Sequence, residues 1–173
     1  MRSLLKSKKG EITDMLIFVV TIFALGIGLF MMMYITPTIS NGLRGAGLNN
    51  TVEGANAIDA MNSVGTTVVN NGFLLLFVGL IISMMITSFL VRTHPIFLFL
   101  YILILAITLL LAAYLGNAYD QMIQNPIFAS TLADATFINF ILSHIVELSL
   151  AAGALSLIIM FSKFSTYGGS EPF

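Results

Sequence analysis

Cysteine and tryptophan are both absent from this 173-residue chain, and charged residues make up only 9% of it. Without cysteine there is no disulfide, no zinc thiolate, no haem thioether and no thiol nucleophile. Without tryptophan, any aromatic belt at a membrane surface falls to tyrosine and phenylalanine. Soluble domains carry about 25% charged residues. A chain of this size with so few could not cover its surface for water, so lipid is the expected solvent. The formal net charge of −1 offers no concentrated basic face to nucleic acid. The chain also lacks a Walker loop, a Gly-rich dinucleotide fingerprint, an HExxH pair and a nucleophile in a recognisable setting. No enzyme, no cofactor and no metal site is expected.

What is present is apolar. Hydrophobic residues make up 58% of the chain, and they gather in four runs. A bilayer core of roughly 30 Å takes about 20 helical residues. The runs cover about 15–35, 73–91, 95–115 and 137–161. Membrane barrels show shorter, alternating segments, so helices are the expected spans. The expected fold class is all-α: a polytopic membrane protein with four transmembrane helices in a single membrane domain over 1–173.

Lysine and arginine orient the spans. Arg2, Lys6, Lys8, Lys9, Arg92 and Lys163 fall on one side of a four-span plan, and only Arg44 falls on the other. That bias places both termini on the cytoplasmic or equivalent side, called the near side below. Lys6, Lys8, Lys9, Arg92 and Lys163 are then interfacial anchors, between tails 1–14 and 162–173 and the spans. The far-side loops, 36–72 and 116–136, carry Glu53, Asp59, Asp120 and Asp134.

The turn Arg92-Thr93-His94-Pro95 is a helix start, because proline suits a first helical turn. Spans two and three should form a tight hairpin, with His94 solvated at the interface. In the first far-side loop, Val52, Ile58, Met61, Val64 and Val68 recur at near-helical spacing. A short amphipathic helix near 51–69 is therefore expected, against protein rather than anionic lipid, since it lacks a basic face. Asn49-Asn50-Thr51 matches a glycosylation sequon. In the second loop Asn125-Pro126 reads as a break. Thr131 with Asp134 resembles a capping box, which would start helix four there.

Lys8-Lys9-Gly10-Glu11 ahead of an apolar run resembles the class III signal of type IV pilins and archaellins, which a peptidase cuts after the glycine. The chain departs from that family in its three further spans and in Asp14, which falls where the family stays apolar. Anchoring of span one by these basic residues is the expectation, with Glu11 and Asp14 near its positive dipole end.

Polar residues inside the runs are the candidate site. Ser143, His144 and Glu147 lie within one turn of span four, with His144 and Glu147 at i,i+3. Such residues are costly in hydrocarbon and should face the bundle interior. The expected role is a hydrogen-bonded clamp to another helix, with Thr87, Ser88, Thr108 or Asn139 as neighbours, or a grip on a partner chain. A proton relay would want a matching carboxylate or base in spans two or three, and none is there. Small-xxx-small pairs, Ala24 with Gly28 and Ser149 with Gly153, mark helix-packing faces for this chain or an oligomer. Met31-Met32-Met33 reads as adaptable packing. No span has a central proline and no internal repeat is visible, which sets the chain apart from transporters.

The overall layout resembles small multispan proteins of the internal membranes of tailless, membrane-containing viruses. The resemblance rests on the Lys-Gly-Glu start, the four-span plan, the Thr93-His94-Pro95 hairpin start and Asn117-Ala118-Tyr119-Asp120 after span three. It implies a structural role, shaping a virion membrane and tethering it to capsid or vertex proteins. Expected partners are the bilayer, other membrane or capsid proteins, and further copies of the chain. A holin-like or small-channel pore former in a host cytoplasmic membrane stays open as an alternative, as does an accessory subunit of a secretion or transport complex.

Overall fold

The computed structural model describes residues 14–90 and 95–167. The anchors Lys6, Lys8, Lys9 and Arg92 lie outside these residues, as do Thr93, His94 and the class III-like segment. Lys163 lies in a described helix, but its side chain is outside what is described.

Among the described residues every regular element is a helix: α1 (Asp14–Gly45), α2 (Val52–Ser63), α3 (Val69–Leu90), α4 (Pro95–Ile123), α5 (Ala129–Asp134), α6 (Thr136–Ser143) and α7 (Ile145–Tyr167). Four helices are long and apolar enough to cross a membrane: Asp14–Gly45, Val52–Phe89, Leu98–Ile123 and Ile145–Ser162. The chain is an all-α polytopic membrane protein.

Four boundaries differ from the sequence expectation. First, α1 runs through Pro37 to Gly45 instead of ending before the proline. A proline forfeits one main-chain bond, here the one to the Met33 carbonyl, and the helix continues on either side of it. Here Thr36 donates to the Met32 carbonyl at 2.8 Å and packs on Gly65, where a Cβ would collide with it. Second, the expected amphipathic helix exists but is not a separate surface element. α2 passes through one wide π turn, Val64–Val68, directly into α3. The loop of 36–72 thus shrinks to the few residues between Gly45 and Val52. Gly47 there adopts φ +85°, a left-handed conformation costing about 1–2 kcal/mol for a residue with a Cβ.

Third, α4 extends past Leu115 to Ile123. Fourth, helix four is broken. Thr131 and Asp134 lie inside α5 rather than forming a capping box at a helix start. The chain from Pro126–Asp134 then turns by 110° into Thr136–Ser143, and a second interruption at His144 precedes α7.

Contacts cluster the chain into two compact units. One comprises the segments up to Ile22, Val78–Gly116 and from His144 on; the other comprises Phe23–Phe77 and Asn117–Ser143. They are called the first and second unit.

Several aromatic side chains are exposed along the long helices. Phe89, Phe99 and Phe161 are exposed within two turns of an end of their helices, and Tyr114 is 72% exposed farther along α4. Phe99 and Tyr114 are 15 residues apart, a rise of about 22 Å.

Candidate functional site

Helix breaks inside a membrane protein leave main-chain groups that water cannot reach, so side chains must answer them. In the second unit the answer to the bend at Ala135 comes from Asn70, on the first turn of α3. Its Nδ2 donates to Thr136 Oγ1 at 3.1 Å. Its Oδ1 accepts from the Phe137 and Ile138 amides at 3.0 and 3.2 Å. Asn70 is buried and acts as an N-cap donated from another helix, because Ala135, the residue in the capping position, has no side-chain acceptor.

A second asparagine ties the next turn of α6. Asn139 Oδ1 accepts from the Tyr119 hydroxyl at 3.0 Å and from Ser143 Oγ at 3.3 Å. Tyr119, fully buried, also meets the Phe30 ring edge-on at a centroid distance of 6.0 Å. Phe128 closes this aromatic cluster against Phe30 and Tyr34. Upstream of the bend, Asn125 caps its own turn by accepting from the Ile127 amide at 3.1 Å, so Asn125-Pro126 does mark a break.

The same unit holds a helical hairpin. Going up α1, Thr36 meets Gly65, Ser40 accepts from Asn62 at 2.8 Å, and Arg44 pairs with Asp59 at 2.7 Å. Each step advances four residues on α1 and retreats three on α2 or the π turn, the signature of antiparallel packing. The missing side chain of Gly65 makes room for that of Thr36, which an added Cβ would strike.

The residues singled out in span four separate. Ser143 joins the Tyr119–Asn139 network of the second unit. His144 and Glu147 belong to the first unit and are both exposed. Glu147 makes no hydrogen bond or ion pair among the described residues. It lies in the first turn of α7. A carboxylate in a first helical turn is favourably placed beside the positive end of the helix dipole.

The small-residue pairs also divide. Gly153 is buried, and a Cβ there would strike Leu105 and Met15. Ser149 is buried one turn away on α7. Close approach lets the Tyr101 hydroxyl reach the Gly153 carbonyl at 3.3 Å and Met15 Sδ at 3.6 Å. By contrast Ala24 and Gly28 are exposed, and nothing lies within 4 Å of a Cβ on Gly28. The glycine that α1 uses is Gly26, whose added Cβ would stand 2.8 Å from Leu142. Of the neighbours expected for the clamp, Thr87 and Ser88 donate back to their own helix. Thr108 is buried with no partner for its hydroxyl among the described residues.

Chemically, the arrangement holds helices together. Among the described residues no group of three or more His, Asp or Glu side chains converges to hold a metal. Asn70 was not singled out in the sequence. Its signal was an amide at the edge of an apolar run, of the kind that already drew attention to Asn139. No protein family, curated protein or solved structure matches this chain.

Proposed function

We propose that this is a non-enzymatic membrane assembly protein, which anchors in the bilayer and presents the α1–α2 hairpin to a partner beyond it. One observation carries the reading. α1 has 32 residues, about 48 Å of helix, against a hydrocarbon core of roughly 30 Å. The surplus falls at its far-side end, where Ser40, Arg44 and Thr36 lock it to α2. This stiff projection exposes Ile39, Leu48 and Val52, apolar residues of the kind that protein contacts cover. Its Arg44–Asp59 pair is internally neutralised, so charge does not direct it to anionic headgroups. The layout-level resemblance to virion internal-membrane proteins makes capsid or vertex proteins the partner to look for first.

The bend between α5 and α6 favours a second reading as a pore former, since non-helical backbone at membrane depth often lines an aqueous path. Against it, Asn70 already occupies the amides of Phe137 and Ile138, which an ion or anionic substrate would otherwise use.

The test is purification in mild detergent with copy-number mass spectrometry. A shell or membrane partner should co-purify at fixed ratio, and Val52→Glu with Ile39→Glu should release it while the chain still inserts. Recovery of the chain alone, with permeabilisation of dye-loaded vesicles, would replace this reading with the pore.

A further inference from the structure

A hydroxyl inside an apolar helix can answer itself by bonding back to its own main chain. Thr36, Thr66, Thr87 and Ser88 do so, each donating to the carbonyl four residues earlier at 2.8 or 2.9 Å. Two hydroxyls of the first unit do not. Thr108 Oγ1 and Ser156 Oγ are fully enclosed and have no hydrogen-bond partner among the described residues. Ser156 stands beside the Tyr101 hydroxyl, which a small adjustment brings into range. Thr108 is the hydroxyl left to explain.

Depth makes it costly. Thr108 lies about 20 Å along α4 from Pro95, inside a hydrocarbon core of roughly 30 Å. Its exposure is 0%, so bulk water does not touch it. Protein interiors answer such groups with a side chain, a carbonyl or an ordered water. A Cβ on Gly153 would strike Leu105, and one on Gly116 would stand 3.3 Å from Ile145. These contacts set α4 and α7 antiparallel and place Thr108 level with the turn from Ser149 to Ala152. Ser149 and Ala152 are buried, as is Ala112 one turn along α4. All three side chains are small, as a water-sized ligand between two helices requires. Ser149 brings a second hydroxyl to the same level.

We propose that one internal water is bound between α4 and α7, accepting from Thr108 Oγ1 and donating to Ser149 Oγ. Buried waters make about three hydrogen bonds, and the third here goes to a helix carbonyl, which keeps a lone pair beyond its main-chain bond. The water joins α4 to span four within the bilayer. It thereby supplies the polar tie that Ser143, His144 and Glu147 were expected to make. The site goes beyond the tethering role, since it uses no residue of the projecting hairpin.

The full chain, reconstituted in lipid, tests this by solid-state NMR with magnetisation transferred from water. Water cross-peaks at Thr108 and Ser149 are expected, and Thr108→Val should remove both. Thr108→Val keeps the shape of the side chain and should lower the folded-to-unfolded ratio about fivefold in detergent. Ser149→Ala should do the same. The double variant should be no worse than either single one, because both lose the same water. Three results would each overturn the proposal. A stabilised Thr108→Val would mean that the hydroxyl has no partner at all. Losses that add would mean that each hydroxyl bonds separately within its own helix. Absence of the water cross-peaks in the parent chain would exclude the water directly, and that readout needs no variant.

Discussion

The two compact units saturate their helices by different means. In the first, Met15, Tyr101, Leu105 and Met160 form a buried core, flanked by Met84, Leu98, Leu109 and Leu157. The side-chain hydrogen bonds described between its helices are those of one tyrosine, to a carbonyl and a thioether. In the second, Asn62, Asn70, Asn139, Tyr119, Ser40 and Arg44 all bond between elements or across the bend. The helices of the first unit run without a break once α7 has begun, so their main chains satisfy themselves. The second unit contains a 110° bend, and its freed amides draw in asparagine side chains. At the bend itself Asn70 meets the freed amides of Phe137 and Ile138, and the remaining bonds join neighbouring helices.

The largest effect should come from breaking the busiest of those side chains. Asn70→Ala removes an acceptor shared by two amides and a donor to Thr136. Loss of a cap together with orphaned buried amides should cost about 3 kcal/mol. Thermal unfolding in detergent should show it, and proteolysis should become faster between Asn125 and Thr136. Asn70→Asp keeps the acceptor and should cost less. Equal stability of Asn70→Ala and the parent chain would mean that the cap is incidental and the comparison between units is wrong.

The first unit should be most sensitive to volume instead. Gly153→Leu would drive a side chain into Leu105 and Met15, an overpacking that costs typically 1–3 kcal/mol. Gly28→Leu, with open space around it, should be nearly silent by the same measurement. If Gly28→Leu proves as damaging as Gly153→Leu, α1 has an unseen neighbour on that face.

Much of this architecture is legible from composition and apolar run length, because lipid demands about 20 apolar residues per span whatever the packing. The helical spacing at Val52, Ile58, Met61, Val64 and Val68 likewise foretells α2 and its continuation. Pro37 misleads, because α1 continues past the single main-chain bond it removes, and the packing of this segment, with Thr36 against Gly65, exists only after folding. The bend at Ala135 misleads more. Thr136-Phe137-Ile138-Asn139 has the periodicity of an unbroken span, and the group that permits the break, Asn70, is 66 residues away in sequence. The second interruption, at His144, coincides with the boundary that puts Ser143 in one unit and His144 and Glu147 in the other. Of the small-residue pairs, Ser149 with Gly153 is buried and Ala24 with Gly28 is not. Nothing in the spacing distinguishes the two, since burial depends on which neighbour arrives.

A matched pair of tyrosines sharpens the contrast at smaller scale. Tyr119→Phe removes a 3.0 Å bond to Asn139 and leaves that amide oxygen with Ser143 alone. Interhelical bonds in membranes average about 0.6 kcal/mol, reaching ~1.7, and a cost of about 1 kcal/mol is expected. Tyr101→Phe loses only a 3.3 Å bond to a carbonyl already paired within its helix and a 3.6 Å contact to sulfur. It should cost roughly half as much. A reversed order would show that the apolar unit relies on its single hydroxyl more than the polar unit does on any of its own.

The smallest effect belongs to the one ion pair among the described residues. Arg44 and Asp59 are only 2.7 Å apart, but their side chains are 46% and 69% exposed. Exposed pairs contribute about 0–1 kcal/mol, because water screens the attraction and both side chains lose freedom. A double-mutant cycle with Arg44→Ala and Asp59→Ala should therefore give a coupling near 0.5 kcal/mol that shrinks further in high salt. The hairpin keeps its register without the pair, since Thr36 on Gly65 and Ser40 with Asn62 already align the helices. A coupling well above 1 kcal/mol would mean that this end of the hairpin is shielded from water, as it would be under a bound partner.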